Sequence, residues 1–526
     1  MALDLLISNG LLRTQDPALP EAEALGVAAG RIAVVGSRAD VEAAAGPATR
    51  RLDLGGRVLI PAFNDAHAHV WKMGHLLTSL LDLRSARSLE EVVRRVGERA
   101  AALPAGAWLL GRGFNEAIYP ERRAPTRDDL DRAAPDRPVA LTRTCGHIYA
   151  VNSRALELAR VGPETPPPVG GVIERSGDGR PNGILHETAM GLVTSVVPPP
   201  TPDEYRAMVD AALRHQLSLG ITASSDCGVG PPLLEVYRAM DRDGALPARV
   251  NVMPLRRVDG VAYPVPLPSQ HQSDRLRIDT VKFLADGGLS GATAALSVSY
   301  RHTANRGVLR FDPDELRALA REAHDAGWRV AIHAIGDVAI DQVLDLYAEL
   351  GPHPRHWHHR IEHLGLPSSD QLTRAARLGV ISVPQTVFIH SLGPNFRAYL
   401  PDALLPRTYP VRAMLDAGLV VALSSDAPVV DDDNPLLGMS AAVTRRDREG
   451  VTVVGEQAIT AAEALYAYTM GGALASGDEA NRGSLTPGKW ADLAVLSADP
   501  LLAPPEALTG ISVDLTLLAG QVVHER

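Results

Sequence analysis

Residues Asp65-Ala66-His67-Ala68-His69 carry two imidazoles two positions apart. In an extended segment alternate side chains share a face, so His67 and His69 point the same way and can hold one divalent metal ion between them. Four later segments end short apolar runs with residues that could join them: Val281-Lys282-Phe283, Ala331-Ile332-His333, Ile361-Glu362-His363 and Ser424-Ser425-Asp426. A metal held by such side chains lowers the pKa of a bound water to around 7, which makes a nucleophile available at neutral pH. Each segment alone has a plainer reading. A single His or Asp at the end of a strand is often a hydrogen-bonded structural residue. Lys282, inside an apolar run, either reaches solvent along its stem or pairs with Asp279 or Asp286, because a lone buried ammonium is costly. Chance does not readily place all six at strand ends.

The elements that would position these residues are legible as alternation. Eight short apolar runs, at 58–70, 221–226, 249–254, 280–286, 329–333, 360–363, 380–385 and 419–426, are interleaved with helical patterns at 314–326, 338–350, 369–378 and 407–417. Alternating β and α with mostly buried strands predicts an α/β fold with a parallel sheet, and eight units predict a closed (β/α)₈ TIM-like barrel. Barrel sites form at the C-terminal ends of the strands, which is where the six residues fall. About 150 residues separate the first run from the second. They predict an insertion after the first barrel strand, at about 72–200, containing a helix at 89–102, a strand at 138–143 and a turn-rich stretch at 170–183. A helix at 203–219 would lead into the second strand. Both chain ends read as glycine-punctuated strands. The expected organisation is a small β-sandwich from 1–57 plus 477–526, around a barrel at 58–476.

The set of strand-end residues resembles the amidohydrolase superfamily. There the first strand supplies His-x-His, the fourth a lysine carbamylated by carbon dioxide, the fifth and sixth one His each, and the eighth an Asp. The matching positions are His67, His69, Lys282, His333, His363 and Asp426. The resemblance covers nearly the whole chain and includes Gly483-Ser-Leu-Thr-Pro-Gly-Lys-Trp-Ala-Asp-Leu-Ala-Val-Leu near the C-terminus. Finer motifs are similar to the N-substituted formamide deformylase branch: Val281-Lys-Phe-Leu-Ala-Asp-Gly-Gly-Leu, His333-Ala-Ile-Gly-Asp, Gly146-His-Ile-Tyr-Ala-Val-Asn152-Ser and Gly183-Ile-Leu-His-Glu187. Two positions depart from that branch: Cys145 stands where an acidic residue is usual, and Pro61-Ala-Phe-Asn-Asp where Pro-Gly-Phe-Ile-Asp is.

The resemblance implies a metal-dependent hydrolase acting on a C–N bond of a small molecule, amide or formamide in type and not a peptide bond. His67, His69 and Asp426 would hold one metal, His333 and His363 a second, and carbamylated Lys282 would bridge them. Two zinc ions are the expected cofactors, with manganese, iron or cobalt compatible with the same donors. Asp426 would act as general base and then as acid, with His147 helping to polarise the substrate carbonyl. His147, Asn152, Glu187 and Gln385 are the expected substrate contacts. A cyclic amidase, a deaminase, a carbamate or ester hydrolase, or a regulatory homologue without catalysis would use the same frame. A homodimer is an expectation from the resemblance alone.

Bulk properties fit a globular enzyme. Of 526 residues, 45% are hydrophobic, which is enough for a buried core, and the net charge of −10 argues against nucleic acid or an anionic membrane surface as partner. Two cysteines, Cys145 and Cys227, are too few for a disulfide scaffold. The start Met1-Ala2-Leu3-Asp4 has no basic n-region, and no long apolar stretch follows, so a cytoplasmic location is expected. His358 and His359 are expected in a solvated loop before the sixth strand.

Overall fold

Eight short strands run parallel. β1 (Phe63–Ala68) pairs with β2 (Ile221–Val229), and β2 with β3 (Arg249–Pro254). β4 (Thr280–Leu284), β5 (Arg329–Ala334), β6 (Arg360–His363), β7 (Ile381–Val383) and β8 (Val420–Val421) pair in sequence order. The computed structural model describes residues 2–143, 146, 148–168, 171–187, 189–257, 263–289, 291–430 and 432–526, without the side chains of Ala117 and Glu187.

The ladders form two five-stranded sheets rather than the one closed sheet that eight units predict. The step falls inside the fourth strand. Leu276–Ile278 pairs with β3, and after the single residue Asp279 the chain resumes as β4 against β5. The Asp279 carboxylate accepts from the Arg277 guanidinium and the Thr280 hydroxyl, and its backbone carbonyl accepts from the Arg329 amide on β5. An isolated parallel bridge between Leu255 and Lys282 spans the step. Past β8, Asp426 N–H donates to His67 O and His69 N–H to Ala427 O, both at 2.8 Å. The chain thus has a TIM-barrel-like α/β fold, and these two bonds tie the first and eighth segments together at the end that carries the candidate residues.

The connecting helices start where their caps dictate. Asp312 accepts from the amides of Asp314 and Glu315 at the head of Pro313–Asp325, and Ser368 with Gln371 forms a capping box at the head of Ser369–Arg377. Asp337–Leu350 stops at Gly351, whose φ of 72° suits glycine. The helix expected at 407–417 is only Val411–Asp416. Pro410 excludes the residue before it from the right-handed helical region, and Tyr409 sits at φ 42°.

The run at 58–70 is two strands, not one. Val58–Pro61 pairs antiparallel with Leu493–Leu496 and parallel with Leu11–Arg13. It belongs to a six-stranded sheet from both chain ends. A four-stranded sheet of Leu5–Ser8, Ala24–Ala28, Arg31–Gly36 and Arg50–Asp53 shares an apolar core with it, including Ile7, Val27, Leu59, Leu493 and Leu517.

Residues 73–208 form a separate compact unit. Its six-stranded sheet includes Leu109–Phe114, Val139–Arg143 and Ile148–Val151 over its own apolar clusters. The stretch expected to be turns is a hairpin, Gly171–Arg175 against Pro181–Glu187, reversed at Gly179 with φ 80°. No helix among the described residues is long and apolar enough to cross a membrane.

Candidate metal centre

His67, His69, Lys282, His333, His363 and Asp426 line one cavity of about 320 Å³ at the C-terminal ends of the strands. His67 and His69 project to the same side, as alternation requires, and both Nε2 atoms approach Asp426 Oδ1, at 3.4 and 3.2 Å. Asp426 sits at φ 56° and His363 at φ 72°. Non-glycine residues rarely adopt this conformation, and such strain gathers at sites whose surroundings enforce it. Here the enforcement is the backbone bond from Asp426 to His67 and the neighbouring Ser425. The Ser425 amide and hydroxyl both donate to Asp65, at 3.0 and 2.5 Å. Burial pushes the Asp65 carboxyl up to about 6.

The proton positions follow from what each ring faces on its other side. His69 Nδ1 lies 2.6 Å from the Cys227 carbonyl oxygen, which can only accept, so Nδ1 carries the hydrogen. Burial, then the charge of Lys72, lowers the His69 pKa to about 4, so the ring is neutral and its Nε2 is a bare lone pair. His67 Nδ1 lies 2.5 Å from Glu362 Oε2 and donates to it. Burial works against the Glu362 charge, but Arg360, then Lys282 and His67, outweigh it and hold the carboxyl well below the usual range. Arg360 clamps Glu362 with two hydrogen bonds, at 2.7 and 2.9 Å, and donates also to Ala66 O and Ala475 O.

His363 Nδ1 faces Gln385 Oε1 at 2.6 Å, and the Gln385 amide nitrogen donates to Val383 O and Ser424 Oγ. That network sets the amide with its oxygen toward His363. Burial, then His333, lowers the His363 pKa well below its ordinary value. His333 Nε2 faces Gly287 O at 3.0 Å, so the nitrogen His333 can offer is Nδ1. The rings lie close: centroids are 4.8 Å apart for His67 and His363 and 4.4 Å for His333 and His363.

A fit to metal follows from the chemistry of these atoms. The Nε2 atoms of His67 and His69 and the Asp426 oxygen lie within 4.8 Å of one another. With the Nδ1 atoms committed elsewhere, the two Nε2 atoms and the Asp426 oxygen all face one point, a geometry that suits a shared cation, a proton or a metal ion. Asp426 Oδ1 and Lys282 Nζ are both buried without a hydrogen-bond partner among the described residues. His67, Cys227 and Glu362 also lie within 4.8 Å of one another, but Glu362 is already spent on Arg360 and His67 Nδ1.

Lys282 corrects the plainer sequence readings. It is 2% exposed, so it does not reach solvent. Asp279 binds Arg277, and Asp286 receives the amides of Ala295, Ile335 and Gly336 at 2.8–3.0 Å. Burial lowers the lysine pKa, against the opposing pull of Glu362.

The expected substrate contacts fare differently. His147 and the side chain of Glu187 lie outside the described residues. Asn152 is fully buried and has no capacity left for a ligand. Its Oδ1 accepts from Val139 and Ala155, capping the helix Ser153–Leu158, and its Nδ2 donates to Ala134 O and Arg137 O. Gln385 is fully buried behind His363 and orients that ring. His359 is buried, with its Nε2 3.0 Å from His324 Nδ1 and its Nδ1 accepting from the Val330 amide, whereas His358 beside it is exposed as expected.

The chain is similar to known proteins over most of its length. The chain is 31% identical over 541 residues to the N-substituted formamide deformylase of Arthrobacter pascens, covering 99% of this chain and 98% of that one. It superposes with a TM-score of 0.79 on the crystal structure of an uncharacterized metal-dependent hydrolase from Pyrococcus horikoshii OT3, at 28% identity, over 95% of this chain and 99% of that one. A counterpart from Pyrococcus furiosus gives 0.78 at 28% identity, over 94% and 99%. The family model described as the amidohydrolase family matches residues 50–524, and the chain belongs to that family.

Proposed function

We propose that the chain hydrolyses the C–N bond of a small amide or formamide with water activated at a two-metal centre. The observation that carries this reading is the convergence of the His67, His69 and Asp426 side-chain donor atoms beside the buried Lys282, which has no hydrogen-bond partner among the described residues. His67, His69 and Asp426 would hold one ion, and His333 and His363 the other. Lys282 would bridge them after its neutral amine adds to carbon dioxide, forming an N–C bond and releasing one proton to leave an anionic carbamate. Burial, which lowers the Lys282 pKa, favours the neutral amine that this addition needs. The bound ions would lower the pKa of water to around 7 and polarise the scissile carbonyl.

The protein's own groups do the rest. Asp426 takes the proton of the attacking water and returns it to the leaving nitrogen. Glu362, the Cys227 carbonyl, Gln385 and the Gly287 carbonyl each hold one ligand ring in a single tautomer, so the donors need no reorganisation. The test is hydrolysis of a panel of N-substituted formamides and simple amides before and after metal removal by a chelator. Hydrolysis that disappears with the metal and returns with zinc or manganese supports the reading; hydrolysis indifferent to metal removal overturns it.

A further inference from the structure

Six of the described tyrosines are buried, and five of them have a bonded hydroxyl. Tyr237 donates to Asp226 at 2.6 Å, Tyr300 to Ala294 O at 2.9 Å and Tyr347 to Arg360 O at 2.7 Å. Tyr119 accepts from the Asn115 amide at 3.1 Å, and Tyr468 bonds Thr386. Tyr409 is the exception. Among the described residues its hydroxyl has no hydrogen-bond partner, although buried polar groups nearly always have one. Its oxygen is not among the fully occluded polar atoms, and Tyr409 lines the cavity that holds the ligand set.

The ring is fixed with its hydroxyl toward the ligand residues. Phe388, on the helix Val387–Tyr399, stacks on His363 with centroids 6.4 Å apart and meets the Tyr409 ring edge-on at 5.8 Å. Phe396 packs on Tyr409 at 5.9 Å. Burial, then the charges of Asp426 and Asp286, holds the Tyr409 pKa well above its ordinary value. The hydroxyl is therefore the end of the ring near those carboxylates, and it keeps its proton. The backbone is equally constrained. Tyr409 sits at φ 42°, although Pro410 leaves extended backbone available to it. Gly365 O takes the Tyr409 amide at 2.8 Å, and the fully buried Arg445 donates to Tyr409 O and Thr408 O at 3.0 and 2.7 Å. His363 and Asp426 share the left-handed conformation, so three residues lining one cavity are held against their backbone preference.

We infer that Tyr409 is a catalytic residue whose hydroxyl donates a hydrogen bond to the carbonyl oxygen of the scissile amide. The bond strengthens as that oxygen becomes anionic, so it stabilises the transition state more than the bound substrate. The proton stays on the tyrosine throughout: the group balances charge and transfers nothing. A donor already fixed by packing, with no internal partner to give up, needs no reorganisation as the charge develops. This rests on the amidohydrolase reading for the bond cut, and places on Tyr409 a role that the sequence assigned to His147.

The experiment compares the metal-loaded protein with Tyr409→Phe, which keeps the ring and removes only the unbonded oxygen. Turnover is measured on N-benzylacetamide and N-benzylformamide. Binding is measured for benzyl methylphosphonate and monobenzyl H-phosphonate, whose anionic tetrahedral phosphorus mimics the water adducts of those two amides. The expected result is a fall in kcat of about 100-fold with KM changed less than about threefold, the pattern of a donor used mainly in the transition state. Phosphonate affinity should fall at least about tenfold, while metal content and melting temperature stay as in the unsubstituted protein. If kcat and phosphonate affinity both stay within about twofold, or if the losses come with lost metal or a lower melting temperature, the inference is overturned. If the unsubstituted protein hydrolyses neither amide, the hydrolase reading fails, and the phosphonates decide separately. A Tyr409-dependent phosphonate affinity would leave the donor standing; phosphonate affinity that is absent or independent of Tyr409 would overturn it as well.

Discussion

His67 Nδ1 donates to Glu362 Oε2 across 2.5 Å, and Glu362 is held in turn by both arms of the Arg360 guanidinium. The three side chains are completely buried, or 1% exposed for His67, so no water can substitute for any of these bonds. Glu362→Gln keeps an acceptor for His67 but removes the charge that balances Arg360. Metal affinity should fall about 10- to 100-fold, the usual effect of losing a partner behind a ligand. The stability loss should be about 3–5 kcal/mol, because a buried guanidinium is left uncompensated. Metal titration and denaturant unfolding on the same protein check the two effects separately.

Lys282→Met should separate stability from function. In the metal-free protein the lysine amine is buried without a hydrogen-bond partner among the described residues, and replacing it by an apolar side chain of similar length removes a penalty of about 1–3 kcal/mol. The melting temperature of the metal-free variant should therefore rise, while metal content and turnover fall. A melting temperature that drops would show that Lys282 has a stabilising partner even without metal.

Acid stability should depend on His359. Burial, then its neighbours His353 and His324, pushes its pKa down to about 3, against an ordinary value of 6.5. Between those values the unfolded chain binds a proton that the folded protein refuses. The penalty is absent above about pH 6.5 and grows as the pH falls toward 3. In metal-free protein the wild type should lose stability more steeply between pH 6.5 and 4 than His359→Gln does. Parallel curves would contradict the assignment.

Gln385 and Asn152 make a contrasting pair. Gln385→Leu leaves the His363 Nδ1–H without its acceptor and should weaken metal binding by about 10- to 100-fold with a modest effect on folding. Asn152→Ala removes a helix cap and leaves four backbone groups short of a partner. It should lower stability by about 1–2 kcal/mol or more and leave metal content unchanged. Elemental analysis beside thermal melts distinguishes the two patterns.

The ligand candidates were legible because each stands at the end of an apolar run, and runs separated by helices imply parallel strands with aligned ends. His67 and His69 needed only the two-residue period of a strand. The groups behind the ligands were not legible in the same way. Glu362 precedes His363 in sequence, yet its partner is His67, 295 positions earlier, and no local pattern reports that contact. Gln385 stood at the right strand end but one layer back, where its oxygen faces a ring instead of the cavity. Asn152 reads as a polar motif residue because capping and ligand binding favour the same side chain. The run at 58–70 hid a change of sheet, since Val58–Pro61 and Phe63–Ala68 are both buried strands and only their partners differ.

The most direct measurement is metal content by elemental analysis of protein purified without added metal, alongside Lys282→Ala. The account predicts about two divalent ions per chain in the wild type, with a sharp fall in the variant. A single ion per chain, unchanged in Lys282→Ala, would contradict it and show that the lysine bridges nothing.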